Sequence, residues 1–163
     1  MRLRVAYICA DPGVPVFGSK GCSVHVQEFI RALLDLNADV VLFAASTGGE
    51  VPAGLAGVRL HMLPEIPKGD LAVREQAAIA ANLLAPALLQ AYGAFDVYYE
   101  RYSLWSFATM EFARSSGKPA ILEVNAPLIE EQTAHRGLHH KDAAKEAAQR
   151  AFDAATAIIA VSR

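Results

Sequence analysis

Short apolar runs alternate with longer amphipathic segments along the whole chain. The apolar runs predict six strands, at Leu3 to Cys9, Asp39 to Ala45, Val58 to Leu63, Phe95 to Glu100, Pro119 to Val124 and Ala157 to Val161. The segments between them predict helices at Ser23 to Asn37, Asp70 to about Tyr92, Ser103 to Ser116, Pro127 to about His135, and Asp142 to Ala154. Strands that alternate with helices favour an α/β fold, a Rossmann-like doubly wound parallel sheet flanked by helices.

Local signals refine several of these elements. The first helix carries a one-sided apolar face, formed by Val26, Phe29, Ile30, Leu33 and Leu34. The third strand places polar residues at alternate positions, which predicts a place near the edge of the sheet. Asp70 is a suitable cap for the long second helix, Gly93 is expected to end it, and Pro86 is consistent with a kink.

Composition restricts the class of protein. With 163 residues, 53% hydrophobic and 20% charged, the chain is typical of one globular domain with a sizeable core. A net charge of -2 gives no electrostatic argument for a nucleic-acid partner. Its two cysteines, Cys9 and Cys22, form no disulfide framework, so a cytoplasmic location is the default. We expect no transmembrane segment, while peripheral membrane contact stays open.

The loop from Asp11 to Ser23 is the first candidate site. It joins a buried strand to a helix and contains Gly18, Lys20 and Gly21. Glycines allow the backbone to come close to a ligand, and a helix N-terminus offers free N–H groups to an anion. The spacing matches neither the dinucleotide fingerprint nor the P-loop. The alternative is a long connection in which glycine and proline serve only turns.

Further candidates follow the later strands, where a parallel sheet binds its ligands. Glu100 and Arg101 could bind a hydroxyl-rich ligand, or could pair with each other and order the next helix. Glu123 lies within an apolar strand and needs a partner, for which Arg101 is a candidate. Asn125 fits a ligand contact, although a helix cap is the safer interpretation. Ser162 and Arg163 are further candidates for this edge.

The histidines give weaker signals. His25, predicted in the first turn of the first helix, fits a polar contact or base as well as an ordinary surface histidine. His135, His139 and His140 cluster near Arg136, but they lack further ligands in a fixed arrangement. We therefore interpret this cluster as a solvated loop and predict no metal site.

Four segments together resemble one family. Gly18 to Glu28 resembles the G-x-x-G-x-[ST]-x-H-[VI]-x-[ED]-[LF] start of the N-terminal domain of GT-B glycosyltransferases, of the retaining family 4 type (glycosyl transferase group 1). Val97 to Tyr102, Ile121 to Leu128 and Ala157 to Ser162 are similar to its later strands in order and spacing. The resemblance covers essentially the whole chain.

The resemblance implies an N-terminal, acceptor-side domain of a hexosyltransferase-like enzyme of carbohydrate biosynthesis. A C-terminal domain would hold most of the nucleotide-sugar and carry an E-x(7)-E signature, which Glu130 and Glu131 do not supply. By resemblance, the loop from Gly18 through Lys20 and Gly21 to Ser23 approaches the donor diphosphate and the acceptor. No metal or other cofactor is expected, and no general base is assigned.

The same resemblance suggests sugar contacts for four more residues. They are His25, Glu100, Arg101 and Asn125, of which Asn125 matches the position that contacts the donor sugar in family members.

Two alternatives stay open. The first is a stand-alone ligand-binding module with a flavodoxin-like or response-regulator-like sheet. The second is half of another GT-B enzyme, such as a nucleotide-sugar epimerase or a sucrose- or trehalose-type synthase. The last apolar run is typical of a strand that leads into a further element, so we expect a fragment of a longer enzyme that transfers no sugar alone. A natural terminus in the sheet is the alternative.

Overall fold

Six strands form one parallel sheet in the computed structural model, which describes residues 2–161. The strands are β1 (Arg4–Cys9), β2 (Asp39–Ala44), β3 (Arg59–Met62), β4 (Val97–Arg101), β5 (Ala120–Val124) and β6 (Ala157–Ala160). Their spatial order is β3-β2-β1-β4-β5-β6. This is the Rossmann order, which confirms the predicted fold class, and it differs from the flavodoxin-like order 2-1-3-4-5. Two of the later candidates, Ser162 and Arg163, lie outside the described residues.

Helices lie on both faces of the sheet. They are α1 (Gly21–Asp35), α2 (Leu71–Ala80), α3 (Ala85–Ala91), α4 (Ala108–Ser115), α5 (Leu128–His135) and α6 (Lys141–Ala154). The single long helix predicted from Asp70 is wrong, because a 3-10 turn at Ala81–Leu83 separates α2 from α3, which carries Pro86 in its first turn. Asp70 does cap α2, since its carboxylate accepts the N–H of Val73 at 3.2 Å.

The fourth helix begins five residues later than its sequence predicts. Its N-cap is Phe107, and the side-chain oxygen of Asn82 accepts the N–H groups of Phe107 and Ala108, both at 3.0 Å. A distant residue therefore satisfies the helix start, a contact that local sequence does not encode. The segment from Ser103 to Phe107 is therefore not helical, and it forms a connection at the carboxyl edge of the sheet.

The strands divide their side chains between two cores. On β1, Val5, Tyr7 and Cys9 pack towards α1, while Ala6 and Ile8 belong to the core shared with α3, α4, α5 and α6. We call these sides the α1 face and the α4 face. The alternation continues on β4, where Tyr99 packs on the α1 face and Tyr98 on the α4 face. Consecutive residues at a strand end thus reach different environments.

The sheet edges agree with the pattern of polarity. β3 lies at one edge, as its alternating polar residues predict, and β6 lies at the other. Cys9 is fully buried in β1, and both cysteines are free. No helix between residues 2 and 161 combines the length and apolar character needed to cross a membrane.

Candidate functional site

A buried carboxylate, Glu123, lies at the centre of a polar cluster near the carboxyl end of β5. Its side chain is 2% exposed. One oxygen pairs with the Nε2 of His25 at 2.9 Å and accepts from Asn125 at 2.5 Å and from Arg101 at 3.3 Å. The other oxygen accepts the hydroxyl of Tyr99. The cluster therefore joins α1, β4 and β5 at one point of the α1 face.

The partners of Glu123 favour its charged form. Burial alone raises the pKa of this carboxyl, but the hydrogen bonds from Tyr99, His25 and Asn125 outweigh it and leave the pKa below its ordinary value. Arg101, with 13% of its side chain exposed, supplies the compensating positive charge. An ionised Glu123 can thus orient His25, Arg101 and Asn125 towards the carboxyl edge of the sheet.

Strand register and aromatic packing bring these residues together. Arg101 lies directly opposite Glu123 in the β4–β5 ladder, which confirms the predicted partnership. Tyr99, two residues earlier on the same face, stacks on Phe29 of α1 with ring centroids 4.3 Å apart. This stacking holds α1 over β4, so that His25 reaches the carboxylate.

Two predictions for this cluster need correction. Asn125 is not a helix cap, because the N-cap of α5 is Pro127 and no side chain caps it. The amide of Asn125 is used by Glu123 instead. His25 lies in the second turn of α1 rather than the first, because that helix begins at Gly21. Sequence reasoning missed Tyr99, although its spacing of two from Arg101 placed both on one face.

The glycine-containing loop packs against the connection that follows β2. The amides of Val16 and Phe17 donate to the carbonyls of Ser46 and Thr47 at 3.0 and 2.7 Å. Gln27 of α1 donates to the carbonyls of Val16 and Gly18 at 3.0 and 2.9 Å. The loop therefore has a fixed shape, set by backbone hydrogen bonds on one side and by the side chain of Gln27 on the other.

Gly18 and Gly21 have different surroundings within this loop. A Cβ on Gly18 would lie 3.0 Å from Pro15 Cγ and 3.1 Å from Ser23 Oγ, whereas a Cβ on Gly21 would meet nothing within 4 Å. Gly18 is thus required by packing, while Gly21 leaves open space at the helix start. Lys20 and Gly21 are exposed.

The start of α1 has free hydrogen-bonding capacity. Its N-cap residue is Lys20, no side chain caps it, and the first turn contains no acidic residue. The first N–H groups of this helix therefore have no side-chain acceptor among residues 2–161, and such groups suit an anion. Ser23 lies beneath them, fully buried, and its hydroxyl has no hydrogen-bond partner within residues 2–161.

Glu100 occupies the opposite face from Glu123. It is fully buried, and neither carboxyl oxygen meets hydrogen-bond geometry with any other described residue. Burial raises its pKa to about 7, although the nearby hydroxyls of Ser106 and Thr109 moderate the rise. Because Glu100 and Arg101 belong to different faces, the proposed ion pair between them is wrong.

The carboxyl edge also carries a cavity on the α4 face. Its volume is about 710 Å³, and its wall includes Ala10 to Gly13 of the loop, α2, the 3-10 turn, α5 and the connection from Ser103 to Ser106. Ligand cavities in proteins commonly have this size. No sequence motif indicated it, because its wall comes from segments that are distant along the chain.

The histidine-rich segment has a different role from the one predicted. His140 is bonded through Nδ1 to Glu75 of α2 at 2.9 Å, and Glu75 also accepts the backbone N–H groups of His139 and His140. A solvated loop is therefore wrong for His140, while His135 and His139 are exposed. No group of three or more metal-binding side chains occurs in the described part of the chain.

Comparison of the chain with family models and with curated proteins gave no match. The resemblance of Gly18 to Glu28 and of the three later strands to glycosyltransferases therefore stays a prediction from the sequence.

Proposed function

We propose that residues 1–163 form the N-terminal, acceptor-side half of a retaining GT-B glycosyltransferase. A sugar would pass from a nucleotide-sugar, held chiefly by a second domain outside these residues, to an acceptor bound here. The observation that carries the proposal is the Glu123 cluster, which joins His25, Arg101 and Asn125 beside the uncapped start of α1.

The chemistry of sugar transfer suits this arrangement. Negative charge develops on the departing diphosphate, and backbone N–H groups and cations stabilise such charge when they are already in place. The start of α1 offers N–H groups, and exposed Lys20 offers a mobile cation. Arg101, His25 and Asn125 offer donors for sugar hydroxyls, while Glu123 fixes their positions. Glu123 is then a positioning residue, because it is buried beneath them.

The strand order supports the same proposal over the stand-alone module. A Rossmann order places the topological switch between β1 and β4, where ligands bind in open parallel sheets. The loop that follows β1 and the Arg101 end of β4 flank this switch point.

The test uses the full-length protein encoded by the reading frame, incubated with a panel of nucleotide-sugars and acceptors. We expect sugar transfer with retention at the anomeric carbon by the full-length protein, and none by residues 1–163 alone. A second Rossmann domain with E-x(7)-E downstream supports the proposal. A stop codon after Arg163, or transfer by this chain alone, would contradict it.

Two variants test the loop within that protein. Lys20→Ala and Gly21→Val should each lower the transfer rate at least about tenfold, since one removes a cation and the other fills the space at the helix start. Lys118→Ala and Gly57→Val are matched controls, because Lys118 precedes β5 at the opposite edge and a Cβ on Gly57 meets nothing within 4 Å. Equal rates for test and control variants would remove the loop from the site.

A further inference from the structure

We infer that the cavity on the α4 face binds the acceptor, and that this acceptor is a hydroxyl-bearing molecule with an apolar body rather than a free sugar. The role of this molecule as acceptor rests on the proposed function, whereas the binding of an apolar alcohol rests on the cavity alone.

The buried part of the cavity wall is mainly apolar, and the polar wall residues that are exposed or half-buried include Asp11, Arg74, Glu131, Gln132, His135 and Arg136. The residues that form the apolar part include Ile8, Leu63, Ile66, Leu71, Ala81 and Trp105. Their side chains come from β1, the connection after β3, α2, the 3-10 turn and the segment before α4. An apolar group gains by leaving water for such a surface, whereas each sugar hydroxyl needs a replacement hydrogen bond.

Two buried polar side chains in the wall have little capacity for a ligand. Asn82 donates to the carbonyls of Ile79 and Trp105 and accepts two backbone N–H groups at the start of α4. Glu75 accepts from the backbone and ring of His140 and from the backbone of His139. Sugar hydroxyls placed against this buried part of the wall would therefore lose water without sufficient compensation.

One part of the wall can take a hydroxyl. Ser103, Ser106 and Thr109 line the cavity, and the last two lie near the carboxyl of Glu100. Glu100 is fully buried without a hydrogen-bond partner among the described residues. A hydroxyl of Ser106 or Thr109 that donates its hydrogen bond to Glu100 keeps its own oxygen free. That oxygen can accept a hydrogen bond from the hydroxyl of a ligand. This places one hydroxyl-binding point on the buried, mainly apolar part of the wall.

The cavity wall includes the beginning of the connection that leads to the loop proposed for the diphosphate. Asp11, Pro12 and Gly13 contribute to its wall, and the same loop continues to Gly18 and the start of α1. A molecule held in the cavity therefore lies at the edge of the sheet where transfer is proposed.

The sequence supplies a local reporter of occupancy. Trp105 is the one tryptophan of the chain and lines the cavity. We would titrate the 163-residue protein with octan-1-ol and, separately, with glucose, and follow Trp105 fluorescence. The inference predicts saturable binding of octan-1-ol and no response to glucose at the same concentrations. Equal responses to the two compounds would overturn it.

A matched pair of variants locates the binding. Ala81→Phe should fill the cavity and weaken octan-1-ol binding at least about tenfold. Ala80→Phe places the same ring on an exposed neighbour outside the cavity and should leave binding unchanged. Near-ultraviolet circular dichroism checks that both variants fold, and Ala85→Leu in the same wall replaces Ala81→Phe if that variant unfolds. Equal affinities for the filled and control variants would contradict the assignment.

A second pair tests the hydroxyl-binding point. Thr109→Val keeps the shape of the wall and removes one hydroxyl, so it should weaken octan-1-ol binding several-fold. It should not weaken the binding of octyl methyl ether, which cannot donate a hydrogen bond. An equal loss for alcohol and ether would reject the polar part of the inference. None of these assays needs sugar transfer, so octan-1-ol binding without transfer by the full-length protein would refute the proposed function alone.

Discussion

The two faces of the sheet's carboxyl edge each bury a glutamate, and the two have opposite electrostatic character. On the α1 face, Glu123 has hydrogen bonds from Tyr99, His25, Arg101 and Asn125, and its pKa lies below the ordinary value. On the α4 face, Glu100 has no partner among the described residues, and its pKa rises to about 7. Burial raises the pKa of both carboxyls, and only Glu123 has hydrogen bonds that outweigh this rise.

This difference separates two kinds of site. The α1 face holds a fixed charge that orients other side chains, as expected where charged groups of a substrate are bound. The α4 face holds an acid whose pKa of about 7 leaves it only partly ionised at pH 7, beside a cavity whose buried wall is mainly apolar.

Removal of Glu123 should disrupt the α1 face. Glu123→Ala leaves largely buried Arg101 without its counter-ion and leaves Tyr99 without an acceptor. We expect the free energy of unfolding, measured with urea, to fall by about 3 kcal/mol or more, as for other broken buried pairs. Glu111→Ala is the control, because Glu111 pairs with Arg150 at the surface. Similar losses for the two variants would contradict a special role for the buried pair.

Removal of the charge from Glu100 should stabilise the fold at high pH, whereas removal of Glu123 destabilises it. Its folded pKa of about 7 exceeds its ordinary value of 4.5, so its contribution to stability is present at low pH and is lost as pH rises between these values. That rise corresponds to roughly 3 kcal/mol. The free energy of unfolding of Glu100→Gln, minus that of wild type, should therefore be higher at pH 8 than at pH 5.

Urea unfolding at both pH values measures this difference. Subtracting the wild-type curve removes the contributions of Glu123 and Glu75, whose pKa values are lowered and whose stabilisation is lost as pH falls. A pH-independent difference between Glu100→Gln and wild type would show that Glu100 does not titrate in this range.

Gly18 and Gly21 differ in the space around them, so the same substitution should have different effects on stability. Gly18→Ala places a methyl group at 3.0 Å from Pro15 Cγ and should destabilise the fold by about 1–2 kcal/mol. Gly21→Ala meets open space at the first residue of α1 and should be neutral or stabilise by up to about 1 kcal/mol. Thermal unfolding measures both, and a reversed order would contradict the different packing described for the two glycines.

Loss of the His25 side chain should lower the free energy of unfolding only slightly. Its side chain is 42% exposed and makes one hydrogen bond to Glu123, so His25→Ala should cost about 1 kcal/mol in unfolding free energy. His135→Ala, at an exposed histidine, is the matched control and should change stability by less than about 0.5 kcal/mol. Equal losses would mean that Glu123 does not hold His25 in place.

Much of the fold was predictable because its signals are local. Apolar runs and amphipathic periodicity identified all six strands of the described sheet, and Asp70 identified the start of α2. The predictions are wrong where a residue distant along the chain determines how a helix begins or which partner a side chain has. Asn82 caps α4 from another helix segment, and Glu123 takes the amide of Asn125 that the sequence assigned to a helix cap.

The sequence alone determined the alternation of strands and helices, since each period of apolar residues depends only on near neighbours. It also determined that Glu123, an acid in an apolar strand, needed a partner. Only the tertiary structure decided that Glu123 has four partners and Glu100 has none among the described residues. The physical reason is that consecutive strand residues face opposite sides, and each side's contacts come from segments distant along the chain.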